Sequence, residues 1–189
     1  MINKKIKFKE IKISDAKKIL EWRRKKRITN FQYTDVSNSI KLQKKWISDS
    51  YNNKNYYHWL IIFNKETIGF FSINEINLKE SETTWTWYIG SDKHLALGGF
   101  MPPFFYNWVF NKFKINKINA FVFANNVNVI QIHQFHGYKT LKKNYTIIKN
   151  NKKIKCIKMV LSKRNWNFNK YSKYVTDFPT LKWKAFNNK

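Results

Sequence analysis

The sequence predicts a single α/β (α+β) domain built on about seven strands, and three observations predict it. The chain has 189 residues, of which 43% are hydrophobic and 18% aromatic, so it can bury a substantial core. Strand-like segments with period-two or continuous apolar patterning alternate with segments of helical spacing, in the order β-α-α-β-β-β-α-β-α-β-β. No internal repeat and no flexible linker divides that run.

Each element has its own signal. Residues 6–13 set Ile6, Phe8, Ile11 and Ile13 imperfectly against lysines and read as the first strand. Ser14 and Asp15 are helix-start residues, and DAKKILEWRRKKRI then carries Ile19, Leu20 and Trp22 opposite a heavily basic side. A polar and aromatic loop, TNFQYTDVSNS, leads into a second helix, IKLQKKWISDSY, with Ile40, Trp46 and Ile47 at near-helical spacing. YYHWLIIF and TIGFFSINEI follow as strands, and NKET between them suits a hairpin turn.

In ETTWTWYIG, Trp85, Trp87 and Ile89 alternate with Thr84, Thr86 and Tyr88, which gives this strand two different faces. MPPFFYNWVFNKF is a helix by its Phe105, Trp108, Val109 pattern, with Pro102 and Pro103 tolerated because they fall in the first turn. KINAFVFA reads as a buried strand. NNVNVIQIHQFHGY reads as a short helix that Asn126 can cap, with Val129, Ile132 and His136 along it and Gly137 where a terminating glycine belongs. YTIIKN and KIKCIKMVL are the last strands, joined by an NNK turn. Periodicity ends there: the domain is expected to span 1–163, and 164–189, rich in Asn, Lys, Trp, Phe and Tyr, to wrap it as a basic aromatic extension.

Charge narrows the partners. Against 11 acidic residues stand 37 Lys and Arg, a net +26, and such a field attracts phosphates, nucleic acid, anionic lipid or a polyanionic substrate. The joint abundance of Lys, Asn and Ile is also what codon bias toward A and T produces. Cys156 stands alone, which excludes an intramolecular disulfide and fits a reducing compartment. The basic start lacks an apolar stretch behind it, and runs such as WLIIF fall far short of the roughly 20 residues a membrane span needs. A cytoplasmic location without a membrane span is expected; a homodimer is compatible with the sequence.

The chemistry begins at LALGGFMPP. Gly98 and Gly99 free the backbone to curl between a strand and a helix, where amides can face an anion. Pro102 and Pro103 carry no N–H, so Leu97, Gly98, Gly99, Phe100 and Met101 must build such a cradle. This arrangement resembles the GNAT superfamily of acyl-CoA-dependent N-acetyltransferases over roughly Ile6 to Leu161. Their loop motif, R/Q-x-x-G-x-G/A, binds the CoA pyrophosphate; here His94 falls on the Arg/Gln position, Leu97 replaces the first glycine and Gly99 matches the second. A second motif, Asn-x-x-Ala/Ser, Tyr or His, then Gly-Phe/Tyr, matches Asn126, Val129, His133, Gly137 and Tyr138 in spacing.

The resemblance implies a central mixed, mostly antiparallel sheet of about seven strands with helices on both faces, and acetyl-CoA as co-substrate. It implies that Asn126 holds the pantetheine arm, that His133 lies beside the CoA sulfur, and that the backbone near Tyr88 and Ile89 supplies donors to the thioester. ILEWRRKKRI, QYTDVSNSIKLQKKW and WYIG look most like the branch that acetylates nucleotide-linked amino sugars, such as the 4-amino-sugar enzymes of pseudaminic acid synthesis, although the WRN of that branch is WRR here.

Amide formation needs a positioned amine, a stabilised oxyanion, a proton acceptor for the amine and a donor for the leaving thiolate. Glu75, Glu80, Glu82 and Asp35 are the candidate bases, with Glu75 taken as the catalytic one. Tyr33, Thr34, Asp35, Trp46, Trp85 and Trp87 are expected to line the acceptor pocket, each tryptophan also having a plain role as a core aromatic. His133 can act as imidazolium or as a neutral N–H donor, while His136 is expected to pack. The H-x-x-H pair lacks the companions and spacing of a metal site. Competing readings are acetylation of a protein N-terminus or lysine, and a basic RNA-binding module without catalysis; nucleic acid is the less favoured partner because no RNA-binding signature is present.

Overall fold

A computed structural model describes residues 5–113 and 115–181 of the chain. The elements are β1 (Ile6–Glu10), α1 (Ala16–Arg23), α2 (Lys26–Thr29), α3 (Ile40–Ser50), β2 (Tyr57–Phe63), β3 (Glu66–Asn77), β4 (Glu82–Ile89), α4 (Pro102–Lys112), β5 (Lys117–Phe123), α5 (Val127–Phe135), β6 (Lys139–Lys149) and β7 (Lys152–Ser162). A long 3-10 run, Asp92–Phe100, separates β4 from α4. The strands form one seven-stranded sheet in the order β1-β2-β3-β4-β5-β7-β6. Neighbours are antiparallel except β4 and β5, which are parallel.

Strand alternation sends side chains to two cores. Trp59, Ile61, Phe71, Ile73 and Trp85 point to one face, where α4 packs with Phe104, Phe105, Trp108 and Val109. Leu60, Phe70 and Tyr88 point to the other, covered by Ile19, Trp22, Ile28 and Ile47 of α1, α2 and α3. Helices thus lie on both faces, and α4, buried over Pro102–Phe110, needs no polar side along that stretch. Both tight hairpins have two central residues at positive φ, Asn64 and Lys65 in one, Asn150 and Asn151 in the other, the conformation that matches strand twist. Among the described residues no helix is long and apolar enough to cross a membrane.

Three boundaries differ from those read in the sequence. The first helix breaks at Lys25, whose ψ of 127° is extended. The break turns Lys25 and Arg27 onto the end of β4, where Lys25 Nζ donates to Gly90 O at 2.9 Å and Arg27 Nε to Asp92 Oδ1 at 2.9 Å. β1 stops at Glu10, before Ile11 and Ile13. β6 starts at Lys139, well before YTIIKN, across a register shift against β7 that blurs its period.

The segment after Ser162 enters the core through its aromatics. Phe178 stacks on Phe8 at 3.9 Å and Trp166 on Tyr171 at 4.4 Å. Asn107 fastens it from within α4, donating to the carbonyls of Tyr171 and Tyr174 at 2.9 Å each and accepting from Trp166 Nε1 at 2.7 Å. Residues 182–189 of the extension lie outside the described residues.

Candidate active site

The sheet opens in its middle. β4 and β5 pair only at Glu82↔Lys117, Thr83↔Ile118 and Thr84↔Asn119, yet β4 runs on to Ile89 and β5 to Phe123. Past Thr84 and Asn119 each stays in register with its outer neighbour, up to Ile89 with Gly69 and Phe123 with Cys156. The two strands therefore diverge into a wedge whose walls are strand edges, with backbone donors and acceptors that no facing strand satisfies. An extended ligand carrying amides can complete them.

Packing at the mouth holds the wedge open. Gly90 ends β4 against Trp22, where an added Cβ would fall 2.0 Å from the indole. Arg27 Nη1 donates to Ile89 O at 2.7 Å, and the N–H of the same peptide, Gly90 N, donates to Ile68 O at 2.8 Å, so that peptide plane is fixed from both sides. On the opposite wall the Tyr33 hydroxyl donates to Phe121 O, and its ring stacks on Phe123 at 5.5 Å.

Beside the wedge lies the glycine pair. The open loop expected there is wound: Asp92–Phe100 forms a 3-10 run, and Met101 N donates to Gly98 O at 3.4 Å. Trp87 Nε1 donates to the same carbonyl at 3.1 Å, tying the run to β4. Neither glycine is forced by its protein neighbours, since an added Cβ would meet only Ile89 Cγ1 at 3.7 Å or Ile132 Cδ1 at 4.0 Å. A methyl there would instead fill space between the run and α5, so the residues present fit a phosphate-bearing ligand held against bare backbone. Gly99 and Phe100 share a cavity of about 690 Å³ with Asn128, Gln131, Ile132 and Phe135 of α5, and with Lys170 and Lys173 from the extension. Leu97 packs on the core. His94 is occupied at the far end of the run, with Nδ1 2.9 Å from Ser91 Oγ and its ring edge-on to Phe63.

α5 closes the same side. Asn126 occupies its N-cap, but the side chain caps no amide; only its carbonyl accepts, from Ile130 N at 3.1 Å. At the other end Gly137, at φ +91°, donates to Gln134 O at 2.9 Å and Tyr138 N to His133 O at 3.0 Å, a complete Schellman termination. That turn folds Tyr138 back beneath His133, ring centroids 4.5 Å apart. Trp85 and Trp87 enclose the imidazole further, at 5.7 and 5.6 Å, and it is 1% exposed. Burial, with His136 next, pushes His133 down to about 3, which favours the neutral ring over the imidazolium. His136 packs between Tyr106 and Tyr171, held down to about 4 by burial and then by Lys170.

The residues expected for the acceptor divide between the two faces. Tyr33, Thr34 and Asp35 lie on the α1–α3 face, along with Glu75. Glu75 sits in a bulge of β3 at φ +50°, and its Oε2 accepts from Thr84 Oγ1 at 3.2 Å, at the last residue of β4 that pairs with β5. The carboxylate is also one of the charges that, after burial and Cys156, push the Tyr33 phenol up. Trp46 is on the same face but further out, tilted on His58 at 4.8 Å. Trp85 and Trp87 are not there: alternation along β4 sends them to the α4–α5 face, where they stack on each other at 4.5 Å. Asp35 is already committed, accepting from Lys149, Asn150 and Thr29, and these bonds hold its carboxyl down to about 2. Glu80 is exposed, and Glu82 lies at the closed end of the wedge, opposite Lys117.

Sequence reading missed Arg23, which donates to Thr34 O at 2.7 Å and lies near the buried phenol of Tyr88. It also missed a polar file across the α1–α3 face in which His58 meets Ser72 at 2.8 Å, Ser72 meets Asn74, and Asn74 meets Thr86 at 3.3 Å. The doubled arginine of WRR was the available signal for the first; the second is scattered over three strands and has none.

A family model described as acetyltransferase (GNAT) domain matches residues 8–157. No curated protein matches the chain in sequence. Among solved structures, the spermidine N-acetyltransferase of Vibrio cholerae in complex with CoA and spermine superposes with a TM-score of 0.77 at 13% identity, covering 86% of this chain and 98% of its own. A dodecameric form of that enzyme gives 0.70 at 12% identity, with 85% and 95% covered. A probable acetyltransferase gives 0.68 at 14% identity, with 88% and 97% covered. At these identities the likeness concerns the fold, and the family match supplies the rest: the chain belongs to the GNAT acetyltransferases and is an acetyl-CoA-dependent N-acetyltransferase.

Proposed function

We propose that this enzyme transfers acetyl from acetyl-CoA, lying in the β4–β5 wedge, to the primary amine of a nucleotide-linked amino sugar that enters from the α1–α3 face. The observation that carries the proposal is the division of the site by the wedge. Gly98, Gly99, Phe100 and α5 stand on one side, and Glu75, Thr84, Tyr33 and Arg23 on the other. A thioester bridging the opening meets an amine from across the sheet, the geometry a direct attack in a ternary complex requires.

The amine nitrogen attacks the thioester carbonyl; a C–N bond forms and the C–S bond breaks. Glu75, through water, accepts the proton the amine sheds. The N–H groups of β4 near Tyr88 and Ile89 face the developing oxyanion. The departing thiolate takes up, through water, the proton that the amine sheds, while the neutral imidazole of His133 offers the sulfur an N–H hydrogen bond without giving up its own proton. Because Trp87 and Tyr138 enclose it, His133 reaches the sulfur only where the thiol displaces part of that ring wall. Asn126, whose side chain caps no amide of α5, takes the pantetheine amides in this reading.

For the acceptor, the net charge of +26 favours an anion. The solved neighbours named as spermidine N-acetyltransferases supply the second reading, a polyamine, and peptide amines supply a third. The test is a thermal shift with acetyl-CoA, CoA and ATP, followed by a screen of a UDP-linked amino sugar, spermidine and N-terminal peptides. Stabilisation by both CoA forms well above that by ATP, with turnover of the UDP-amino sugar alone, is the expected result. Equal stabilisation by all three would reduce the cradle to a general polyanion effect, and turnover of spermidine alone would replace the acceptor.

A further inference from the structure

We infer that a basic bowl between the 23–36 segment and the β6–β7 hairpin binds the diphosphate of the acceptor, an assignment that rests on the acetyl transfer to an anionic amine proposed above. The bowl has a volume of about 660 Å³ and is lined by Arg23, Arg24, Lys149, Lys152 and Lys153, with Asp35 its one carboxylate among the described residues.

That carboxylate does not neutralise the bowl. Lys149 Nζ lies 2.9 Å from Asp35 Oδ1 and donates to Thr29 O at 2.6 Å, while Asn150 Nδ2 donates to Asp35 Oδ2 at 2.6 Å. Lys149 and Asp35 therefore cancel, and together they fasten the hairpin to the loop. Arg23, Arg24, Lys152 and Lys153 remain, with no ion pair to any of them among the described residues. The two guanidinium groups are aimed by neutral oxygens: Arg23 by Gln32 and Thr34, and Arg24 by Asn38 Oδ1 at 2.6 Å. Orienting a guanidinium without spending its charge is what a phosphate site requires, because the fork can then close on two oxygens at once. Arg23 is also mostly removed from water, a cost that an incoming anion offsets.

Placement links the bowl to the wedge. Tyr33 bonds the open edge of β5 and Asp35 lines the bowl, two residues further along one loop. Two residues span at most about 7 Å. A diphosphate in the bowl thus leaves the attached sugar beside the wedge, on the face that holds Glu75. The same cations repel a polyamine.

The experiment is titration calorimetry with UDP and with inorganic pyrophosphate on the full chain saturated with CoA, so that the cofactor's own anion cradle is filled. Wild type is expected to bind both, and the double variant Lys152→Glu/Lys153→Glu to lose at least tenfold in UDP affinity while its CoA affinity stays within twofold. Retained CoA binding also shows that the variant folds. Silence from both probes on the CoA-saturated wild type overturns the assignment, as does equal UDP binding by the variant, or binding of a polynucleotide where UDP gives none. Acetyl transfer without UDP binding removes the bowl and leaves the transfer standing; charge-dependent UDP binding in a protein that binds no CoA does the reverse.

Discussion

Lowering the pH from 7.5 to 5.5 should destabilise this protein by about 4 kcal/mol, through three imidazoles that the fold keeps neutral. His58, His133 and His136 are 8%, 1% and 4% exposed, and burial is the first cause of each shift, to about 3, about 3 and about 4. Against an ordinary value near 6.5, the folded values are lowered, so between pH 6.5 and about 4 the unfolded chain binds more protons than the native one. Stability is then complete above pH 6.5 and falls as the medium acidifies. One unit below the unfolded value each histidine costs about 1.4 kcal/mol. Three together remove a large part of an ordinary domain's margin of roughly 5–15 kcal/mol. Asp35 adds nothing here, because its stabilisation is lost only below the ordinary carboxylate range, toward pH 2. Urea unfolding followed by tryptophan fluorescence at pH 7.5, 6.5 and 5.5 measures the slope, and His133→Phe should remove about a third of it. Midpoints that do not move across this range would mean that the imidazoles take up protons in the native protein as readily as in the unfolded chain, and would restore His133 as a cationic donor to sulfur.

Glu75→Gln should lower kcat by about 10²–10⁴ with the acetyl-CoA KM little changed; steady-state kinetics that show a drop of less than tenfold would remove Glu75 as the base. Gly99→Val should weaken CoA binding more than tenfold in calorimetry while shifting Tm little, since its nearest protein neighbour, Ile132 Cδ1, is 4.0 Å from the added Cβ; a large loss of Tm with normal CoA affinity would make this glycine structural. Gly90→Ala should do the opposite, costing about 1–3 kcal/mol of stability, because its Cβ would lie 2.0 Å from the Trp22 indole; an unchanged urea midpoint would contradict that packing.

What sequence could show, it showed through local rules. Gly137 is legible because a helix end wants a residue at positive φ there, and the alternation of Trp85 and Trp87 with Tyr88 is legible because strand side chains alternate whatever they face. Which face is which is not local. The tryptophans joined the α4–α5 core because β4 lies between two helical layers, and no feature of TWTWY says which layer is the cofactor side. The break at Lys25 depends on Gly90 and Asp92, more than sixty residues away, so the helical pattern through WRRKKR gives no warning. The neutrality of His133 depends on rings from β4 and from the turn after α5. The bowl joins Arg23 and Arg24 to Lys152 and Lys153, and in a chain so rich in lysine neither half stands out.

Overall charge favours an anion without saying where it binds; the sign beside the wedge is what decides the acceptor. A polyamine that presents one amine to the thioester still has its other ammonium groups to satisfy, each needing a carboxylate that is not already spent. Of the two carboxylates placed beside the wedge above, Asp35 is consumed by Lys149, which leaves Glu75 both to take the amine's proton and to hold any second cation near the thioester. One carboxylate cannot serve both without losing the charge that makes it a base. An acceptor with a single amine and a phosphate tail meets no such conflict: the amine needs only Glu75, and the tail meets Arg23, Arg24, Lys152 and Lys153. Spermidine should accordingly be a poor substrate whose KM falls as salt screens the field, whereas the KM of a UDP-linked amino sugar should rise with salt. Steady-state kinetics at low and high salt read both slopes, and the opposite pair of signs would assign the face to a cation.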